Sequence, residues 1–197
     1  LKTTDTDELY VAMRNVLAKD EVFEGSVAYG TVQNFAHFVV SDDLSYNRFS
    51  VNYIDVKQLH ININYDKKIN EIIGLNANAN YYNWDKVVYH KPKFICAIST
   101  PVNLRGKIKV IPSVNYKGSR FSKQEYLGGD VTPLPGPVSL VSDLPSQFHM
   151  NLGVYYNYTK NISAYLKLNN LTNSKQDVWI GYREVGFNGL LGLNYSF

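Results

Sequence analysis

At 197 residues and 45% hydrophobic side chains, the chain is long enough for one domain or for a piece of something larger, and no apolar run reaches the length of a membrane helix. The net charge of +3 comes from scattered Lys and Arg, with no basic stripe to invite nucleic acid. The single Cys96 excludes an internal disulfide framework, and the 16 Tyr together with abundant Asn are the compositional oddities.

Residues 1–20 form a lead-in. Leu9, Val11, Met13 and Leu17 fit a strand, whereas Leu9, Met13, Val16 and Leu17 fit a helix beginning near Thr6; the strand is preferred. Val22 to Val32 reads as a strand with Phe23, Val27 and Tyr29 on one side and Glu24, Ser26 and Gly30 on the other. Phe35 to Val40 is apolar on both sides, so its register stays open, and Phe49, Val51 and Tyr53 then alternate with Ser50 and Asn52. Leu59, Ile61, Ile63 and Tyr65 oppose Gln58, His60, Asn62 and Asn64. After a turn expected at Asp66 to Lys68, Ile73, Leu75, Ala77, Ala79 and Tyr81 oppose Gly74, Asn76, Asn78 and Asn80. Phe94 to Val102 leads through a tight turn at Asn103 to Gly106 into Lys107 to Tyr116, where Pro112 removes a ladder donor and predicts a bulge.

The last fifty or so residues carry the pattern again. Phe148, Met150, Leu152, Val154, Tyr156 and Tyr158 face one way, and Ile162, Ala164, Leu166 and Leu168 repeat the scheme after a turn at Thr159 to Lys160. Leu191, Leu193, Tyr195 and Phe197 close it. Runs of about ten residues, apolar on one face and rich in Asn, Ser, Gly, His and Tyr on the other, are what a strand between lipid and an enclosed interior needs. No Lys, Arg, Asp or Glu falls on the apolar face of the clearest strands. Tyr53, Tyr65, Tyr81, Trp84, Tyr116 and Tyr158 lie near strand ends, where aromatic girdles sit. Turns are short at one end and long at the other, where the links span 83–92, 118–146 and 171–187; the middle one holds LGGD and TPLPGP. Short turns at one rim and long loops at the other are how outer-membrane barrels meet the two compartments.

The expectation is therefore an all-β chain: an antiparallel transmembrane β-barrel, or the carboxy-terminal half of a larger one, with about ten or eleven strands and a barrel segment over 21–197. Its location would be the cell outer membrane, with lipid as partner and no nucleic acid. Catalysis is not expected, because no nucleophile elbow or acidic pair stands out. No cofactor and no metal are expected either: His37, His60, His90 and His149 lack ligand spacing and read as interior or loop hydrogen-bonding groups. Ligand contact is expected on the long links, at Trp84, Arg120, Lys123, Tyr126, Asp130 and Trp179. The two Trp fit either stacking on a ligand or anchoring at an interface.

The carboxy-terminal segment resembles the end of a TonB-dependent outer-membrane receptor, in the style of Bacteroidetes examples. The residues that carry the likeness are Asn170, Leu171 and Asn173, then Gly181 and Tyr182, then Gly186, and finally Tyr195 to Phe197. The resemblance implies nutrient uptake, a barrel of about 22 strands of which this chain would hold half, and a terminal signal at Tyr195 and Phe197 read by the barrel-assembly machinery. It also implies contacts with the rest of the receptor or with other outer-membrane subunits. A plug domain and TonB-contacting segment are not seen in these residues, and the start at Leu1 fits a processed end or the inside of a longer polypeptide. Two other readings stay open: a plug-less receptor-like barrel serving as a structural or assembly subunit, and a soluble ligand-binding β-barrel.

Overall fold

The computed structural model describes residues 2–43, 46–126, 138–179 and 182–197, and the side chains of 2–38, 51–123, 141–179 and 182–197. Among these residues fourteen strands run in chain order: β1 (Asp5–Ala18), β2 (Glu21–Asp43), β3 (Tyr46–Lys68), β4 (Gly74–Trp84), β5 (Phe94–Ser99), β6 (Val102–Leu104), β7 (Ile108–Lys117), β8 (Arg120–Tyr126), β9 (Val138–Leu144), β10 (Gln147–Asn157), β11 (Ile162–Asn169), β12 (Asp177–Trp179), β13 (Tyr182–Arg183) and β14 (Asn188–Tyr195). All but β12 and β13 join one sheet, in which β1 pairs β2 and the order continues through β3, β4, β5, β7, β10 and β11 to β14. Pairing is antiparallel apart from a short parallel contact of β8 with the far end of β2. The lead-in is a strand, as its alternation favours.

Cross-strand register sorts the side chains as the sequence alternation predicts. Val27 faces Ile61, Ile63 faces Ala79, Val154 faces Leu166 and Leu166 faces Leu191, apolar against apolar. On the other face Asn62 meets Asn80, Asn64 meets Asn78 and Ser113 meets Asn151. The apolar face is bare: Leu191 and Leu193 are 75% and 79% exposed, and Val27, Ile63, Ile98, Phe148 and Met150 are exposed with them. The buried hydrophobic residues reduce to Ala28, Val32, Val56, Val88 and Leu144 among those described. A continuous exposed apolar face of this extent is the mark of an interaction surface.

The structure departs from the expected segmentation for identifiable reasons. Phe35 to Val40 and Arg48 to Tyr53 are continuations of β2 and β3, not separate strands, so one hairpin rises far beyond the lipid-sized stretch. Between Val32 and Phe35 the register shifts, with Asn34 at φ 52. That extra residue swaps the facing of Phe35 to Phe38 relative to the strand before it, and Phe35 joins Val32 on the packed side. The expected turn at Asp66 to Lys68 lies later, over Ile69 to Ile73, because the Asn70 side chain accepts the backbone N–H groups of Ile72 and Ile73 at 2.8 Å each.

The bulge expected at Pro112 is absent. The register of β7 against β10 runs unbroken through Leu152 and Pro112. The missing N–H instead faces Thr100, whose own N–H donates to the Pro112 carbonyl at 3.1 Å, and the neighbouring arm breaks into β5 and β6 there without inserting a residue. The link at 118–146 is not all loop: β8 and β9 prolong the hairpin of β7 and β10, and LGGD and TPLPGP fall outside the described residues. Likewise 171–187 holds the small β12–β13 pair. Taking β5 with β6 as one arm, the wall has nine positions among the described residues rather than ten or eleven, namely β1, β2, β3, β4, β5/β6, β7, β10, β11 and β14.

Candidate functional site

The polar face of β3 and β4 carries a closed ring of amides. Asn62 Nδ2 donates to Asn80 Oδ1 at 2.9 Å, Asn80 Nδ2 to Asn78 Oδ1 at 2.8 Å, Asn78 Nδ2 to Asn64 Oδ1, and Asn64 Nδ2 back to Asn62 Oδ1 at 2.7 Å. Period-two alternation on two paired strands builds this ring directly, since Asn62 and Asn80 are partners and so are Asn64 and Asn78. An amide offers two N–H donors and two acceptor lone pairs, and the ring occupies one of each. Each Asn thus keeps capacity for a further partner on that side. Above the ring, His60 touches Asn80 Oδ1 at 3.1 Å and stacks on Tyr82 with ring centroids 4.3 Å apart, and Tyr82 stacks on Trp84 at 5.6 Å.

At the end of the sheet with long connections, the chain packs a second polar group. Gln147 and His149 on β10 point to the same side as Glu184, the residue after β13; His149 Nε2 lies 2.8 Å from Glu184 Oε2 and Gln147 Nε2 donates to it at 3.4 Å. Burial raises the Glu184 carboxyl, but hydrogen bonds to His149 and Ser174 outweigh that and hold it below its ordinary value. Beside this, Arg120 is 4% exposed, and its Nη2 donates to the carbonyls of Asp177 and Val178 at 3.0 and 3.1 Å. The His90 ring sits against Trp179 with centroids 4.0 Å apart, and the His90 backbone N–H donates to the Phe121 carbonyl at 2.6 Å. Burial, then the Arg120 cation and His37, push the His90 imidazole down to about 4, so it is neutral at pH 7.

Of the residues expected to meet a ligand, three gather at this rim. Trp84 and Arg120 line one cavity of about 530 Å³, and Trp179 is held beside them through Arg120 and His90. Trp84 is corrected in its facing: it lies on the polar side with Tyr82, donates from Nε1 to Gln58 Oε1 at 2.9 Å, and packs on Val32, Val56 and Val88, so it is no girdle residue. The hydrophobic partners lie across the strand pair, which single-strand parity at a strand end does not reveal. Tyr65, Tyr81 and Tyr116 do sit on the apolar face. Lys123 pairs with Val141 in the β8–β9 hairpin; Tyr126 ends β8 opposite Val138; Asp130 lies outside the described residues. Tyr195 ends β14 opposite Ile162, and its ring meets Phe197 edge-on at 5.1 Å.

His90, Gln147, His149 and Glu184 were not among the expected site residues, and only Gln147 and His149, two apart on one strand, are linked by spacing in the sequence. His60 and His149 make side-chain contacts with Asn80 and Glu184, and the His37 and His90 rings pack on Tyr89 and Trp179. Three residues of the carboxy-terminal resemblance, Asn170, Asn173 and Gly186, have structural work. Asn170, buried at φ 53, donates from Nδ2 to the carbonyls of Ser174 and Val185 and accepts from Thr172 Oγ1 and the Ser174 N–H. Asn173 Oδ1 accepts the Phe187 N–H at 3.0 Å, and a Cβ on Gly186 would come within 2.5 Å of that oxygen. These residues fold the connection that brings Glu184 over β10.

No protein-family model matches the sequence, and no curated protein does. Solved structures match in fold. A chain of the FpvAI–pyocin S2 complex gives a TM-score of 0.71 at 14% identity, covering 100% of this chain and 28% of that one. The copper transporter OprC gives 0.71 at 12% identity over 98% of this chain and 31% of its own. PfeA, the ferric enterobactin receptor of Pseudomonas aeruginosa, in complex with enterobactin, gives 0.71 at 12% over 100% and 32%. The chain spans about a third or less of the length of these proteins. The neighbours are TonB-dependent outer-membrane receptors with β-barrel folds, the family that the carboxy-terminal residues resemble. At such identities the shared property is the fold.

Proposed function

We propose that residues 21–197, with β1, form part of the wall of an outer-membrane barrel of TonB-dependent-receptor type that takes part in nutrient uptake. The observation that carries this reading is the bare, uncharged apolar face backed by an amide-lined polar face. Lipid would cover the first, and the interior of the barrel would lie against the second. The long connections at 83–92, 118–146 and 171–187 then face outward to capture the nutrient, with Trp84, Arg120, Lys123, Tyr126, Asp130 and Trp179 as the contact candidates. Tyr195 and Phe197 serve as the signal for barrel assembly.

Strand direction supports a larger barrel. β1 and β14, the two outer positions of the wall, both run from the long-connection end to the short-turn end, so joining them directly would make a parallel seam. Bacterial single-chain barrels are antiparallel with even strand numbers. An odd number of further strands between β14 and β1 satisfies both conditions, and the rest of the same receptor is their source.

Cys96 offers the test, because it is the sole thiol of these 197 residues and sits on the apolar face opposite Ala79 and Tyr116; any cysteine elsewhere in the receptor is first replaced by Ser. With the complete protein in liposomes, a fluorophore on Cys96 should be quenched by brominated acyl chains and not by aqueous iodide. The same probe on Asn78→Cys in a Cys96→Ala background should behave the opposite way. Iodide reaching Cys96 as freely as Asn78 would overturn the reading.

A further inference from the structure

The cavity at the rim joins two features that uptake does not explain. Its floor includes Phe94 and Tyr116, whose rings are 6.1 Å apart on the apolar face. Its walls include Lys86, Lys91, Lys93 and Arg120 against the acids Asp85 and Asp143, four cations to two anions. Asp85 is already engaged, accepting the Lys57 N–H at 2.8 Å, and Lys86 Nζ donates to the Asp55 carbonyl at 2.6 Å. Lys91 and Lys93 have no ion-pair partner among the described residues, and Arg120 Nη1 is buried with no hydrogen-bond partner although Nη2 is doubly used. An orphaned guanidinium nitrogen in a cationic cavity is a costly arrangement unless an anion completes it.

We propose that this cavity takes the phosphate headgroup of an anionic lipid. An unpaired guanidinium N–H and two free ammonium groups suit a phosphate, which presents several acceptor oxygens to single donors and to point charges at once. At about 530 Å³ the space is that of a small-molecule site, so an oxyanion alone would leave most of it to an apolar body. Val87, Phe94 and Tyr116 line that remainder, and Phe94 and Tyr81 continue it onto the exposed apolar face. The site thus lies where an acyl chain on the wall meets a charged head at the rim. It rests on the membrane reading given above, and it adds a specific lipid contact to a face otherwise covered by any lipid.

Trp84 lines the cavity, so the part of the fluorescence lost in a Trp84→Phe variant belongs to it. That difference, measured in the complete, detergent-solubilised protein, reports occupancy. Micelles doped with phosphatidic acid should give a saturable change that phosphatidylcholine does not. Lys91→Gln with Lys93→Gln should weaken it about 30-fold. Three results would overturn the proposal: no saturable change, no weakening in the double variant, or an equal response to inorganic phosphate at the same concentration, which would make this a site for a free oxyanion. The Cys96 probe separates the two readings. If acyl chains still quench it while phosphatidic acid fails, only the headgroup site falls; if they do not, the membrane reading falls as well.

Discussion

The paired strands β3 and β4 and the rim around Arg120 are both polar, yet they are built in opposite ways. In the first, four asparagines meet because alternation places them two residues apart on neighbouring strands. In the second, Arg120, His90, Trp179 and Glu184 come from three connections and meet only through the packing of β8 and β12. The wall is therefore a repeated local pattern that tolerates change inside and resists charge outside. The rim depends on individual residues.

Charge on the apolar face should produce the largest effect. Leu152 lies mid-strand between Pro112 and Leu168, so Leu152→Arg should cost roughly 2–4 kcal/mol of bilayer stability. Asn151→Arg, one residue away on the polar face, should cost far less. Urea titration of the folded fraction in liposomes compares them, and equal losses would erase the distinction between the faces.

The next contrast sets the rim against the wall. Asn170 makes four side-chain hydrogen bonds while buried, and Asn170→Ala should cost about 2–3 kcal/mol from bonds worth about 0.5–1.5 each. Asn80→Ala opens a half-buried ring whose members can turn to other partners, and about 1 kcal/mol is expected. The same titration ranks them. A larger loss at Asn80 would mean that the amide ring, not the rim, is the specified part of the molecule.

The legibility of the sequence divides along the same line. Strands whose two faces differ chemically, such as Phe148 to Tyr156 or Leu59 to Tyr65, declare their register because a slip by one residue would exchange lipid-facing and interior side chains. Where one inserted residue or one side chain decides, alternation misleads. The extra residue at Gln33 to Asn34 inverts the facing of Phe35 to Phe38, Asn70 moves a turn, and Pro112 breaks a neighbouring arm rather than its own. Arg120 and Trp179 stand out in the sequence as residues of the long connections, and the structure sets them side by side on β8 and β12. Their neighbours His90 and Glu184 do not stand out, since nothing local marks a histidine buried by a hairpin roughly thirty residues away.

The smallest effect is local and tests the rim by pH. His90 has a folded value of about 4 against an ordinary 6.5. Above pH 6.5 it is neutral whether the rim is packed or open, and its packing contributes in full. As pH falls from 6.5 to about 4 the open state takes up a proton that the packed state refuses, so packing weakens across that window and no further below it. In a Trp84→Phe variant, Trp179 fluorescence should change between these limits while the circular dichroism of the sheet stays constant. His90→Asn should abolish the change, because Asn tolerates the φ of 61 found there. A competing force acts in the other direction, since a protonated imidazole 4.0 Å from the Trp179 ring gains cation–π attraction. A transition above pH 6.5 would show that this attraction outweighs burial and the Arg120 charge, and would make the rim tighter, not looser, in acid.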